Sequence, residues 1–245
     1  MEVNKGKLVI MNIKGGFGNQ LFQYATALNI SIKNNAKLKI VLDNQYNLEK
    51  FKNEFRLDYL NINYELAEKE EIMRLKNSTD EINLFYKILR KLKIPSRFNK
   101  STHIIDSDGH KPNSKILNAE APCYIEGWCV KEIYFSKIKS KLSKIFNYKY
   151  ELSNYSKKIK SNIINSNSVA IHFRRGDYLK VTDFFNSLGN DYYKNAINVI
   201  KSKSRINKFY IFSDDIIWVK SNFKMDVDMN FIELPEKNSV IRGME

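Results

Sequence analysis

Cysteine is nearly absent. The 245-residue chain holds two, Cys123 and Cys129 in "CYIEGWC", with no histidine nearby and no second pair. That spacing supports neither a zinc site nor a disulfide framework, and free thiols in a reducing compartment are the expectation. Long apolar runs are missing as well. "LVIMNI" near the N-terminus is too short for a signal-peptide core, and nowhere do about 18 apolar residues run together. The chain is therefore expected to be cytoplasmic rather than secreted or membrane-spanning. There is no internal repeat, low-complexity tract or heptad run that would specify an array or a coiled-coil oligomer. With 43% hydrophobic and 13% aromatic residues the chain is not disordered, and its length allows one large or two ordinary domains. What it has in excess is positive charge, 41 Lys and Arg against 27 Asp and Glu, a net +14. Such a balance attracts nucleic acid, nucleotide phosphates or an anionic membrane surface, and does not choose among them.

The segment "KLVIMNIKGGFGNQLFQYATALNISIKNNAKLKIVLD", residues 7–43, reads as two buried strands around a helix. Leu21, Tyr24 with Ala25, Leu28 and Ile32 recur at helical spacing, so the unit is strand, tight turn, helix, strand, the start of a parallel sheet. Residues 64–100 read as helical and highly charged. In "LFYKILRKLKIPSRF" Leu84, Phe85, Ile88, Leu89 and Leu92 oppose Lys87, Arg90, Lys91 and Lys93, and Pro95 ends the helix. That face suits either an ordinary surface helix or peripheral contact with an anionic membrane. After lysine-rich helical sequence, "SNIINSNS" reads as a hinge, and new buried strands follow in "SVAIHF", "KFYIFS" and "NFIEL". The economical fold is α/β, with two parallel-sheet lobes joined near residue 160: 1–160 and 161–245.

Three strand-end clusters carry the chemistry. After the first strand, Gly16 and Gly18 allow backbone to approach a ligand and aim helix amides at an anion. A third glycine is missing, since position 21 is Leu, so the dinucleotide fingerprint is incomplete even with Asp43 near the place of its ribose-binding acid. The bland reading is a tight turn with Asn19 or Gln20 satisfying the helix-end amides. In "VAIHFRRGDYL", residues 169–179, Val169, Ile171 and Phe173 share one strand face, and Ala170, His172 and Arg174 share the other. Two guanidiniums and Asp177 thus stand at the C-terminal edge of a parallel strand, where open sheets bind ligands. Arginine's planar fork suits a diphosphate. A surface salt bridge alone leaves unexplained a histidine on the same inward face. "KFYIFSDDIIW" repeats the geometry with Ser213, Asp214 and Asp215. Adjacent acids there serve a metal, a base or sugar, or a helix cap, and capping is expected of at least one.

"GGFGNQLFQYATA", "HFRRGDY" and "YIFSDDIIW", in that order, together resemble bacterial alpha-1,2-fucosyltransferases, and "YIEGWCVKEIYF" resembles that family's segment between the lobes. The resemblance runs from residue 8 to 245. It implies an inverting glycosyltransferase of the GT-B type with two facing Rossmann-like lobes, GDP-fucose as donor, a galactose-terminated or lipid-linked glycan as acceptor, and no metal or other cofactor. It implies donor binding by Gly16, Gly18, Asn19, His172, Arg174, Arg175, Ser213 and Asp214. Arg174 and Arg175 would meet the diphosphate, and His172 with Asp214 the guanosine. Gln20, Glu126 and Trp128 would serve the acceptor. Arg174 and Asp177 would be catalytic, with Asp177 the candidate base for the acceptor hydroxyl; Glu126 is the other carboxylate available, and orienting a neighbour is the alternative role for either. The family pattern continues past "NSVIRGME" into a helix, a strand and a donor-binding segment, so the second lobe is expected to be incomplete.

Other classes make different demands. A nucleic-acid module would use the +14 charge, but the lysines are scattered over helices without an accompanying motif, so no nucleic-acid partner is expected. A nicotinamide-dependent oxidoreductase would use the first turn and leave the arginines without a task. A non-catalytic sugar-nucleotide-binding fragment is compatible with every motif.

Overall fold

The computed structural model describes residues 7–42, 55–76, 102–107, 111–176, 179 and 188–233. The helix face read from Lys87, Arg90, Lys91 and Lys93 lies outside the described residues, as do Asp43, Asp177 and the chain after residue 233. Two compact units divide the chain, Met1–Tyr150 and Glu151–Glu245.

In the first unit β1 (Leu8–Ile13), β2 (Lys37–Leu42), β3 (His103–Asp106) and β4 (Cys123–Gly127) form one sheet in the order β2-β1-β4-β3. All its pairings are parallel. Every residue of β1 is buried, as its unbroken apolar run requires of a strand covered on both faces. Val9, Met11 and Ile13 pack with Tyr24, Ala27 and Ile30 of α1 (Phe17–Asn34). Leu8 and Ile10 pack on the other side with Leu75 of α2 (Lys69–Lys76) and with Tyr124. The "YIEG" stretch is thus not only a connection between lobes: β4 is a central strand of this sheet, inserted between β1 and β3. Short α3 (Ser114–Leu117) and α4 (Lys139–Ile145) also belong to the unit, α4 burying Leu142 beside Ala25. Both cysteines are free and buried, and burial raises each thiol to about 12.

The inner face of α1 differs from the apolar stripe read in sequence. Leu21 and Leu28 are only partly buried and Ile32 is exposed, whereas Gln20, Gln23, Ala27 and Ile30 point inward. The helix is rotated towards its glutamines, for a reason that lies at the strand ends.

The second unit begins with α5 (Asn154–Ile164), so the boundary falls earlier in the chain than the hinge read near residue 160. It holds a three-stranded parallel sheet in the order β5-β6-β7, from β5 (Ser168–Phe173), β6 (Lys208–Ser213) and β7 (Met229–Phe231). α6 (Asn190–Lys203) and α7 (Ile216–Asn222) connect them. One face buries Ile171, Phe173, Phe209 and Ile211 against Tyr193, Ile197, Val219 and Phe223. Phe173 stacks on Tyr193 with ring centroids 3.8 Å apart. Each unit is α/β and Rossmann-like, the fold class expected.

Candidate functional site

Each unit carries a turn at the C-terminal end of its first strand. In the first unit β1 gives way to Lys14, Gly15 and Gly16, and α1 starts at Phe17. Gly15 has φ +79°, and a Cβ there would stand 2.8 Å from Trp128 Cζ3 and 2.9 Å from Asn19 Nδ2. Within this turn the position that needs glycine most is therefore Gly15, rather than Gly16 or Gly18. Gly16 and Gly18 are exposed, and a Cβ on either would meet nothing within 4 Å. Their backbone is open to a ligand. Gly16 caps α1 without a side-chain hydrogen bond, and no acid stands in the first turn. Neither Asn19 nor Gln20 caps the helix, which corrects the bland reading of this turn.

Gln20 instead is fully buried, donating from Nε2 to the Gly15 carbonyl at 2.9 Å and accepting the Arg56 amide at 2.9 Å. Gln23, also fully buried, accepts the Lys14 amide at 2.9 Å and donates to the Gly127 carbonyl at 3.1 Å. Two apolar side chains in their place would gain about 1.5–3 kcal/mol each from burial. They would also strand the four backbone groups at about 1–3 kcal/mol apiece. The polar pair wins, and it is why α1 turns its glutamines inward. Gln20 consequently has no surface to offer an acceptor, contrary to its assignment from the resemblance. Gln23 was missed, although a second glutamine three residues on, among apolar neighbours, is the signal that would have found it.

Glu126 and Trp128 flank Gly127, whose φ of +134° lets it press on Asp106: an added Cβ would lie 2.5 Å from the Asp106 carbonyl oxygen. The Asp106 carboxylate accepts the Cys129 amide at 3.0 Å. Trp128 is exposed, and the Lys14 ammonium lies 5.1 Å from its ring centroid. The Glu126 carboxylate meets His103 Nε2 at 3.1 Å and Lys76 Nζ at 3.5 Å. Burial opposes its charge, but Lys76, His103 and Lys14 outweigh that and hold its pKa below the ordinary value. Nothing in the sequence marked Lys76 or His103, because the fold alone brings them to β4.

In the second unit the turn after β5 is held by charge. Asp214 accepts the Arg175 amide at 2.9 Å and the Gly176 amide at 3.0 Å, one on each oxygen. Arg174 Nε is 3.7 Å from the same carboxylate. Ser213 donates to the Phe173 carbonyl and accepts the Asp215 amide, both at 2.9 Å, which ties the ends of β5 and β6 together. Asp215 caps α7 through the Trp218 amide at 3.3 Å and takes Arg175 Nε at 3.4 Å. The Arg175 guanidinium lies on the Trp218 ring, 3.2 Å from its centroid. The two arginines thus diverge in role. Arg175 is confined at 16% side-chain exposure, and Arg174, at 48%, is the one presented to solvent. Asp214 and Ser213, expected at the donor, are spent mainly on fixing this turn. His172 lies on the exposed face of β5 rather than an inward one. The site as described brings together His172, Arg174, Arg175, Ser213 and Asp214 in one unit. Gly16, Gly18, Asn19, Glu126 and Trp128 gather in the other. Among the described residues no group of three or more His, Cys, Asp and Glu could hold a metal ion, and no helix is long and apolar enough to cross a membrane.

This order of strand-end motifs has a match. The profile of glycosyl transferase family 11 covers residues 8–242. The chain belongs to that family. It is 31% identical over 237 residues to an alpha-1,2-colitosyltransferase of Escherichia coli, a match covering 92% of this chain and 77% of that protein. It is 25% identical over 238 residues to the O-antigen biosynthesis glycosyltransferase WbnK of Escherichia coli, covering 86% and 74%. Among solved structures, the fucosyltransferase NodZ from Bradyrhizobium aligns with a TM-score of 0.49 at 14% identity, covering 94% of this chain and 80% of that one. The chain is a glycosyltransferase of family 11, and its two strand-end turns are the places where that chemistry has to be sought.

Proposed function

We propose that this glycosyltransferase moves L-fucose from GDP-fucose to the 2-hydroxyl of a terminal galactose, with inversion. The observation that carries the reading is Arg174: an exposed guanidinium at the ligand edge of a parallel sheet, on a turn fixed by the carboxylate of Asp214. As the bond from C1 of the sugar to phosphate breaks, negative charge gathers on GDP and the sugar becomes oxocarbenium-like. A guanidinium already in place stabilises that state more than the ground state, by about 3 kcal/mol for one well-aimed donor. Arg175, packed on Trp218, supports the turn, and His172 on the exposed face of β5 is positioned for the nucleoside. In the first unit, the backbone of the turn at Gly16 and Gly18 is left uncovered. Trp128 offers an aromatic face to the acceptor sugar. Asp177 follows the turn directly, outside the described residues. No metal takes part in the step.

A second donor has one observation in its favour, the 31% identity to an alpha-1,2-colitosyltransferase. Colitose is L-fucose without its 3-hydroxyl, so both GDP-sugars present the same diphosphate to Arg174. The name of the second relative, an O-antigen biosynthesis glycosyltransferase, fits a lipid-linked glycan acceptor met at the cytoplasmic face of a membrane. Incubating the protein with each GDP-sugar and a β-galactoside, and determining the linkage by NMR, tests the reading. Transfer of fucose to O2 is expected. Transfer of colitose alone replaces the donor, and transfer of neither overturns the proposal.

A further inference from the structure

We infer that Glu126 accepts the proton of the acceptor hydroxyl, with His103 and Lys76 as positioning residues that hold its far oxygen. This rests on the transfer reaction proposed above.

Glu126 is the penultimate residue of β4, at the C-terminal edge of a central strand, on the α2 side of the sheet. His103 and Lys76 both contact Oε2, at 3.1 and 3.5 Å, and among the described residues Oε1 receives no hydrogen bond or ion pair. One oxygen is anchored and the other is left for a substrate. The side chain is 25% exposed, neither sealed nor in bulk solvent. It belongs to the surface of the glycine turn: Lys14 acts on its charge and lies over Trp128, and Trp128 closes against Gly15. A sugar resting on the exposed indole would have its hydroxyls within the same patch.

The step balances simply. The acceptor O–H gives its proton to Glu126 Oε1, and its oxygen forms the new bond to C1 of the sugar. The bond from C1 to the β-phosphate oxygen breaks, and its electron pair leaves on GDP. Glu126 returns the proton to solvent when the product departs.

Lys76 from α2, His103 from β3 and Lys14 beyond β1 are the basic side chains that face the carboxylate, and Tyr124 lies under Lys76 and His103. Removing His103 therefore raises the pKa of Glu126 and moves the acid limb of the rate profile to higher pH. The experiment measures kcat, acceptor KM and GDP affinity for Glu126→Gln, Glu126→Asp and His103→Gln. Glu126→Gln should lower kcat by about 10²–10⁴-fold with GDP affinity within about twofold of wild type. Glu126→Asp should recover part of that loss, and His103→Gln should cost less than about tenfold while shifting the acid limb upward. A Gln variant whose kcat stays within about tenfold of an active wild type, or whose loss lies wholly in acceptor KM, overturns the assignment alone. A wild-type protein that transfers neither fucose nor colitose overturns the functional reading, and this assignment with it.

Discussion

The two strand-end turns solve one problem with different materials. After β1 the free backbone groups are taken by neutral amides, Gln20 and Gln23, from the helix that follows and sealed from water. After β5 they are taken by a carboxylate, Asp214, from the end of the neighbouring strand, with Arg175 confined alongside and Arg174 at the surface. A buried neutral clamp contributes to folding and leaves the outer surface of its turn empty. A surface charged clamp contributes little net stability but fixes guanidiniums where a charged ligand can reach them. The first turn reads as built for close approach, the second for charge.

The sharpest way to break that contrast is at Arg174. Its side chain is half exposed and its contact with Asp214 is long, so Arg174→Ala should affect the melting temperature far less than turnover, lowering kcat about 10²–10³-fold. Lys in its place should recover only part, since it keeps charge without the fork. Parallel thermal melts and saturating-donor kinetics check both. An Ala variant with wild-type turnover would remove Arg174 from the site.

A substitution in each clamp sharpens the contrast from the side of stability. Gln23→Leu keeps the volume but strands the Lys14 amide and the Gly127 carbonyl, and should cost about 2–4 kcal/mol. Asp214→Asn can accept only one of its two amides well, yet at the surface the loss should stay near 1 kcal/mol and show mainly as weaker donor binding. Chemical denaturation of both variants, with GDP titrations, measures the difference. If Asp214→Asn proves the more damaging to folding, the division of labour between the turns is wrong.

Much of this was legible from the residues. The runs "SVAIHF" and "KFYIFS" coincide with β5 and β6, because short apolar runs flanked by polar turns have few other places to go. The capping expected of one member of the Asp pair is the observed role of Asp215. What failed depended on partners distant in sequence. The inward face of α1 follows backbone groups it must satisfy, not its own apolarity. The amide partners of Asp214, on Arg175 and Gly176, are invisible in a pattern of side chains. β4 looked like a connection because its five residues show no period, and only its neighbours β1 and β3 make it central.

The smallest expected effect is that of a chelator, and it tests what the charged turn is for. Two adjacent acids at the end of β6 invite a divalent cation, which could bridge to a diphosphate as readily as an arginine does. Their oxygens are otherwise engaged. Asp214 gives one to each of two amides, and Asp215 divides its pair between the α7 cap and Arg175. A cation would have to displace those donors and then compete with Arg174 and Arg175 for the same space, at a cost in both hydrogen bonds and repulsion. Activity measured with EDTA in excess should therefore equal activity with added magnesium or manganese, at any donor concentration. A loss on chelation that manganese restores would mean that the acids release the turn when donor binds, and that the second turn is a metal site assembled by its substrate.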